Sequence, residues 1–179
     1  PHKSGSFGQS NFLRVNAAKP RLIFRALMHG YNVTWADRDV VIQRTLSFPR
    51  NSCDIFASVE DGPMCRGTSD LSCAGFLHFR NTPETLKFVN EWARVSNCYI
   101  NDNDQCHFQR LVTLGTGAKV CYLDKYLYAN GHMWVPSACK RTECMTPSML
   151  REAVVVHANY IVGNDAKVSA LKSIGLWKA

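Results

Sequence analysis

The stretch Asn32-Val-Thr-Trp-Ala-Asp-Arg-Asp-Val-Val-Ile42 ends an apolar strand in two aspartates separated by one residue. Side chains at positions i and i+2 of an extended chain point to the same side of the backbone. Asp37 and Asp39 are therefore expected to face the same way. A predicted helix over 20–29, closed by Gly30, precedes the strand, which is the order of elements in an α/β protein.

Two carboxylates at the end of a strand are typical of a site for a hard divalent cation. Such a cation usually shares its remaining positions with water and substrate phosphates. Ligands of open α/β sheets bind beyond the carboxyl ends of strands, and Asp37 is expected at that end. The pattern predicts a diphosphate bound through a metal. The alternative is that an Asp-x-Asp pair merely solvates a turn, which is common in soluble chains.

The remainder of the chain alternates predicted strands and helices, which favours an α/β fold. Strands are expected over 53–59, 73–79, 119–123 and 153–157, and helices over 82–95, 103–115 and from 163 to before Gly175. The segment 124–151 is expected to be irregular. In the first helix, Pro20 should lie in the first turn and Leu22, Ile23, Ala26 and Leu27 should form the buried face.

Size and charge limit the possible functions. The chain has 179 residues, of which 46% are hydrophobic and 20% charged, so we expect one folded domain over 1–179. The net charge of +7 suits an anionic ligand, although a scattered solubilising surface explains it equally well. The basic residues form no dense block, so we expect no nucleic-acid partner. No stretch reaches the roughly 20 apolar residues that span a bilayer.

Eight cysteines are many for a cytosolic protein of this size, and none forms a Cys-x-x-Cys pair. Together with the sequon at Asn32, they favour an oxidising, secretory setting. Cys139 and Cys144 flank a polar loop and are expected to belong to the bridged set, but the sequence does not determine which cysteines pair. Cys121 lies in a predicted strand and is expected to be a small core residue.

Polar residues also gather at other predicted strand and helix ends. His157 follows the apolar strand 153–157 and would place an imidazole beside the metal, or would be hydrogen-bonded locally. Gly163 and Lys167 begin the last helix, whose free N–H groups suit an anion, or they form an ordinary loop with a solvated lysine. Asp104 and Gln105 start a helix, and would either cap it or lie beside a reacting sugar.

In combination, these residues resemble the nucleotide-diphospho-sugar transferase domain family, whose plant members include rhamnogalacturonan xylosyltransferases and extensin arabinosyltransferases. The resemblance extends over nearly the whole chain. It rests on the segments Phe7-Gly8, Lys19, Gly30 to Val33, Asp37 to Asp39, Ala74 to Phe76, Asp104-Gln105, Val156 to Tyr160, Gly163, Lys167 and Gly175 to Trp177.

The resemblance implies a GT-A type glycosyltransferase with a Rossmann-like mixed sheet flanked by helices. Such an enzyme binds a nucleotide sugar, here a UDP-sugar, through a divalent cation that is usually Mn²⁺. Asp37, Asp39 and His157 would be the metal ligands, with Asp39 the more direct ligand and Asp37 directed towards the ribose or sugar. The remaining nucleotide-sugar contacts would come from Lys19, Gly75, Gly163 and Lys167.

The catalytic residues implied by the resemblance are Asp104, which would hydrogen-bond the donor sugar, and Gln105, which would lie near its anomeric carbon. The transfer would retain the anomeric configuration, and the acceptor would be a glycan or glycoprotein. Family members commonly carry an asparagine at the position of Cys73, so a polar contact to donor or acceptor is removed. Two alternative hypotheses for the function are a non-catalytic module that binds a glycan or nucleotide sugar, and a disulfide-rich extracellular interaction domain.

The resemblance also implies a place in the cell and a missing segment. The family works in the Golgi lumen as type II membrane proteins, so any membrane contact would come from an N-terminal anchor outside this chain; the alternative is secretion. The family's first strand is expected upstream of Pro1. We therefore expect a processed form or fragment that lacks activity on its own.

Overall fold

Two mixed β-sheets surrounded by helices form the fold in this computed structural model, which describes residues 10–49, 53–60, 72–98, 103–139 and 144–177. The helices are α1 Ser10–Met28, α2 Pro83–Cys98, α3 Asp104–Leu114, α4 Pro147–Glu152 and α5 Asn164–Ser173. The strands are β1 Val33–Ala36, β2 Val40–Ile42, β3 Ile55–Val59, β4 Ser72–Phe79, β5 Val120–Tyr122, β6 Tyr128–Ala129 and β7 Val155–His157, and a 3-10 turn covers Gly131–Met133. The predicted mixed α/β architecture is confirmed.

The chain passes from the first sheet to the second between Ala36 and Val40, the segment that contains Asp37 and Asp39. The first sheet has the order β1-β4-β3-β5, antiparallel except for the parallel pair β3 and β5. The second has the order β2-β7-β6, in which β2 is antiparallel and β6 parallel to β7. Because β1 and β2 belong to different sheets, Asp37 and Asp39 lie between them.

Three apolar clusters hold these layers together. One packs the first sheet against α1, α2 and α3, and is centred on Phe88, Trp92 and Phe108, which are fully buried. A second packs β6 and β7 against α4, α5 and the segment after the 3-10 turn. The third joins the two sheets, with Phe56 and Phe76 on one side and Val155 on the other. The third cluster fixes how β4 and β7 approach each other.

Strand β4 has a register irregularity where it approaches β7. Ala57 of β3 pairs with Leu77, whereas the next residue, Ser58, pairs with Cys73. Residues 74–76 therefore have no partners on β3, which makes this a long β-bulge. The hydroxyl of Ser58 donates to the carbonyl oxygens of Cys73 at 3.4 Å and of Phe76 at 3.1 Å, one at each end of the bulge.

Helix α1 differs from its prediction. It begins at Ser10, so Pro20 lies inside the helix rather than in its first turn. A proline in this position costs an internal hydrogen bond, but burial of one helix face offsets this loss. That face carries Lys19, Ile23 and Leu27, spaced four residues apart. The prediction that Leu22 is buried was wrong, since it is 52% exposed.

Helix α2 starts as predicted. Thr82 precedes its first residue and accepts a hydrogen bond from the backbone N–H of Thr85 at 3.2 Å, as an N-cap does. The buried face is centred on Phe88, Val89 and Trp92. The segment 124–151 was predicted to be irregular, and in its described residues the regular elements are β6, the 3-10 turn and α4.

Among the described residues, the cysteines in disulfides include Cys53, Cys106, Cys121, Cys139 and Cys144. The prediction that Cys139 and Cys144 are bridged is confirmed, and the structure shows that they are bonded to each other. The prediction for Cys121 was wrong, because it is bonded to Cys53. Cys53 lies just before β3, and Cys121 lies in β5. The parallel pairing of these strands brings the two Cα atoms to 5.9 Å, within bridging distance. Cys73 is a buried free thiol.

The loop that each disulfide closes predicts its contribution to stability. The Cys53–Cys121 bond joins residues 68 apart and the Cys139–Cys144 bond residues 5 apart. In the chain-entropy account these loops correspond to about 4 and about 2 kcal/mol. Replacing Cys53 and Cys121 by alanine should therefore lower the free energy of unfolding more than replacing Cys139 and Cys144. Urea unfolding of both double variants measures this difference, and equal or reversed losses would contradict it.

Candidate functional site

The three residues predicted to hold a cation come together where the two sheets meet. One carboxylate oxygen of Asp37, one of Asp39 and one ring nitrogen of His157 all lie within 4.8 Å of one another. His157 is 118 residues beyond Asp39 in the chain. The fold thus makes a single cluster out of residues that sequence spacing could not connect.

Backbone pairing places each member of the cluster. The N–H of Asp37 donates to the carbonyl of Gly75 at 2.8 Å, which fixes the end of β1 against the bulge of β4. The indole N–H of Trp35 donates to Asp37 Oδ1 at 2.7 Å. On the second sheet, Val40 pairs with His157, and the N–H of Ala158 donates to the carbonyl of Asp39 at 2.9 Å. The pairing of β2 with β7 thus brings Asp39 beside His157.

Gly75 leaves the space that the imidazole of His157 occupies. A Cβ atom added to Gly75 would lie 2.1 Å from Cε1 of His157, and would overlap the ring. The ring is packed against bare backbone, and only glycine permits this approach. Gly75 was predicted to contact the nucleotide sugar; what the structure shows is that its lack of a side chain makes room for the ring of His157.

Asp39 carries the strongest interactions of the cluster. Its Oδ1 lies 3.2 Å from Nε2 of His157, and its Oδ2 lies 2.5 Å from Nζ of Lys167. Burial alone would raise the pKa of Asp39, but these two partners hold it well below its usual range. Burial would lower the pKa of His157, but Asp39 and Cys73 together raise it to about 10. In the absence of a cation, Asp39 is therefore a carboxylate between two positive groups.

Lys19 also contacts Asp37, in addition to the cluster with Asp39 and His157, and is almost completely buried. Its ammonium group donates to the carbonyl of Ala74 at 3.0 Å, and lies 2.8 Å from Asp104 Oδ2 and 3.4 Å from Asp37 Oδ1. Burial alone would lower the pKa of Lys19, but the two carboxylates raise it above its ordinary value. This buried ion-pair group attaches α1 and α3 to the end of β1.

Of the two predicted catalytic residues, Gln105 binds the bulge of β4 directly, and Asp104 is connected to it through Lys19. Asp104 does not cap α3, because Asn103 does so, accepting from the N–H of Gln105 at 2.9 Å. The amide oxygen of Gln105 accepts from the N–H of Ala74 at 3.1 Å. The amide nitrogen of Gln105 is buried and has no hydrogen-bond partner among the described residues. It is thus a buried donor beside the bulge.

The predicted anion site lies at the start of α5. Gly163 is the N-cap, with a φ of 95° that glycine adopts readily, and it provides no side-chain cap. Lys167 follows one turn later, and its N–H donates to the carbonyl of Gly163 at 3.1 Å. Because its Nζ reaches Asp39, the lysine connects this helix start to the carboxylate cluster. The structure therefore brings Asp37, Asp39, His157 and Lys167 together.

Sequence reasoning missed a second polar group beside the cluster. Glu60 is 1% exposed, and its two oxygens accept from the hydroxyl of Tyr160 and, at 3.5 Å, from the side-chain amide of Asn159. Asn159 Nδ2 also lies 3.8 Å from Sγ of Cys73. The sequence held a signal for part of this group, because Asn159 and Tyr160 lie two and three residues after His157, and Glu60 follows the last residue of β3.

Comparison with known proteins identifies relatives of this chain. It is 26% identical to a UDP-galactose:fucoside alpha-3-galactosyltransferase of Dictyostelium discoideum, over 96% of this chain and 29% of that protein. It is 23% identical to UDP-D-xylose:L-fucose alpha-1,3-D-xylosyltransferase 3 of Arabidopsis thaliana, over 99% of this chain and 50% of that protein. A further Arabidopsis UDP-D-xylose:L-fucose alpha-1,3-D-xylosyltransferase is 26% identical over 96% and 51%. The chain thus spans about half or less of these curated relatives.

A solved structure supports the fold. The crystal structure of a glycosyltransferase involved in the glycosylation of the major capsid of PBCV-1 superposes with a TM-score of 0.59 at 14% identity, covering 92% of this chain and 77% of that one. The sequence also matches the nucleotide-diphospho-sugar transferase family model over residues 2–171. The chain therefore belongs to the nucleotide-diphospho-sugar transferase family.

Proposed function

We propose that this chain is part of an enzyme that transfers a sugar from a UDP-sugar to a fucose-containing glycan or glycoprotein, using a divalent cation. The observation that carries the proposal is the cluster of Asp37, Asp39 and His157 within 4.8 Å, with Lys167 on the same carboxylate. The relatives support the choice of substrates, because each is named for a UDP-sugar donor and a fucose or fucoside acceptor.

The chemistry of the cluster fits the cation. Two carboxylate oxygens and one imidazole nitrogen form a donor set that Mn²⁺ accepts, and carboxylates in particular suit hard divalent ions. We therefore assign Asp37, Asp39 and His157 to Mn²⁺. When bound, the cation would stabilise the negative charge that builds up on the departing diphosphate.

Lys167 and the start of α5 are assigned to the diphosphate. The lysine side chain is 25% exposed, so its ammonium group can turn from Asp39 to a phosphate oxygen without movement of the helix. Free backbone N–H groups at the start of α5, after Gly163, suit the same anion. These groups neutralise the leaving diphosphate electrostatically, without transferring a proton to it.

Asp104 and Gln105 are assigned to the sugar. The buried amide nitrogen of Gln105 is a donor for a sugar oxygen near the anomeric carbon. Asp104 Oδ2 is held by Lys19, which leaves the other carboxylate oxygen for the predicted contact with the donor sugar. We propose retention of configuration: the acceptor oxygen bonds to the anomeric carbon as the bond to the diphosphate oxygen breaks on the same side. The acceptor's proton passes to that departing oxygen.

We further propose a single lumenal domain over 1–179. The two sheets share an apolar cluster within the described residues, which supports one folding unit. The Cys53–Cys121 and Cys139–Cys144 disulfides suit an oxidising compartment. Among the described helices, none combines the length and apolar character needed to cross a bilayer. We place the protein in the Golgi lumen, held by an anchor outside this chain, with secretion as the alternative.

The proposal predicts that UDP stabilises the fold in the presence of Mn²⁺. A ligand at 100 times its dissociation constant should add about 2.7 kcal/mol to the free energy of unfolding. Thermal unfolding is measured with UDP alone, Mn²⁺ alone and both together. A rise in Tm that requires both is expected; no rise in any condition would overturn nucleotide binding.

Turnover by the full-length protein shows whether it is an enzyme or only a binding module. UDP-galactose and UDP-xylose are supplied with a fucoside acceptor, and UDP release and the glycoside product are measured. Transfer supports the enzyme. Binding of UDP without transfer to any fucoside would favour the alternative, a non-catalytic module that recognises nucleotide sugars.

Asp39→Asn should abolish Mn²⁺-dependent binding of UDP while the fold is kept. The amide has the same shape, but it has lost the charge that holds both Lys167 and the cation. Glu91→Gln is a suitable control, because Glu91 pairs with Arg94 on the exposed side of α2. Circular dichroism verifies folding, and the shift in Tm with UDP and Mn²⁺ measures binding. An unchanged shift in Asp39→Asn would show that the ligand assignment is wrong.

Gly75→Ala should displace the imidazole of His157, since the new Cβ would overlap Cε1. We expect a loss of about 1–3 kcal/mol in the free energy of unfolding, the usual cost of overpacking. In a His157→Ala background the ring is gone, and the same substitution should cost much less. Urea unfolding of the four proteins in this double-mutant cycle measures the coupling. Equal losses in both backgrounds would rule out this contact as the reason for glycine.

A further inference from the structure

His157 contacts a different group through each of its two ring nitrogens. Nε2 lies 3.2 Å from Asp39 Oδ1, on the side of the carboxylate cluster. Nδ1 lies 3.7 Å from Sγ of Cys73, on the opposite side. The side chain is 6% exposed, so protein atoms, rather than water, determine how the ring is turned.

An imidazole that binds a cation needs a partner for its other nitrogen. That nitrogen usually donates its N–H to a carboxylate, carbonyl or water, which fixes the tautomer and the orientation of the ring. Here the hydrogen-bond partner of Nδ1 is the sulfur of Cys73. A thiol sulfur is a weak acceptor, but it is the correct distance away and lies on the side opposite Asp39.

Contacts to both the backbone and the side chain of Cys73 hold it in place. Its carbonyl accepts from the hydroxyl of Ser58 at the edge of the β4 bulge. Its Sγ also lies 3.8 Å from the amide nitrogen of Asn159, whose Oδ1 accepts from the N–H of Gly131 at 2.5 Å. The residue is 2% exposed and forms no disulfide. The sulfur is therefore a fixed, protected atom rather than a reactive surface thiol.

We propose that Cys73 is the positioning residue of the cation site: its sulfur accepts the Nδ1–H of His157 and thereby directs Nε2 towards the cation. This inference rests on the proposed function, in which His157 is a cation ligand. Cys73 does not touch the cation or the sugar in this role. It acts by holding the ring that does.

The test compares two substitutions of Cys73 with a matched control. Cys73→Ala removes the acceptor, and Cys73→Ser restores one, although the shorter C–O bond holds the oxygen farther from the ring. Ser96→Ala is the control, because Ser96 is also buried and its hydroxyl lies 3.2 Å from Nδ1 of another histidine, His107. It removes a similar histidine contact elsewhere in the fold.

Two measurements are made on the 179-residue chain. The dissociation constant of Mn²⁺ is obtained from the electron paramagnetic resonance signal of the free ion. Pulsed resonance of the bound ion then detects the nitrogen coupling of a directly bound imidazole. Cys73→Ala should weaken Mn²⁺ binding about 10–100-fold, as loss of such a supporting contact does, and should reduce the nitrogen coupling. Cys73→Ser should recover part of both, and Ser96→Ala should leave both unchanged.

The outcomes separate this inference from the proposed function. If the wild-type chain binds no Mn²⁺, the proposed function fails first. If the wild type binds Mn²⁺ with nitrogen coupling and Cys73→Ala does the same, the positioning role of Cys73 is overturned. Equal weakening in Cys73→Ala and Ser96→Ala would also overturn it, since general destabilisation would then explain the loss.

Discussion

The close approach of the His157 ring to the backbone of Gly75 is the constraint on which the site depends. It joins β7 of one sheet to β4 of the other where the third apolar cluster holds the sheets together. The approach requires a glycine, and it also requires the bulge in β4. Because residues 74–76 have no partners on β3, their peptide groups are available to other parts of the chain. Gln105, Lys19 and the N–H of Asp37 each bind one of them.

Pairing of opposite charges explains how a strongly charged group of residues is tolerated inside the protein. Burying ionic groups is costly unless they are paired and hydrogen-bonded. Here three acidic residues alternate with three basic ones: Asp104, Lys19, Asp37, His157, Asp39 and Lys167. A divalent cation at the three proposed ligands would take the place of positive charge that His157 and Lys167 already supply to Asp39. The cluster is thus organised for binding before the cation arrives, which reduces the rearrangement required.

Much of this could be predicted from sequence because it follows from local patterns. Apolar segments predicted the strand before Asp37 and the strand that ends at His157, and the helix predicted over 82–95 begins within one residue of its expected start. Features that depend on distant parts of the chain could not be predicted. Pro20 lies inside α1 because burial of Lys19 and Ile23 outweighs its local effect, and Cys121 is bridged because β5 happens to lie parallel to β3. The bulge and the Glu60 group likewise exist only once the sheets are assembled.

The two lysines of the site differ in what they can contribute to a substrate. An ammonium group has three N–H donors, and Lys19 has three acceptors around it: the carbonyl of Ala74, Asp104 and Asp37. Its side chain is 5% exposed, so a direct contact with a phosphate would require breaking a buried ion pair. Lys167 has Asp39 as its ion-pair partner and is 25% exposed. Under the proposed function, Lys167 is therefore the residue that would exchange a carboxylate for a diphosphate, whereas Lys19 would act on the nucleotide sugar only by fixing Asp37.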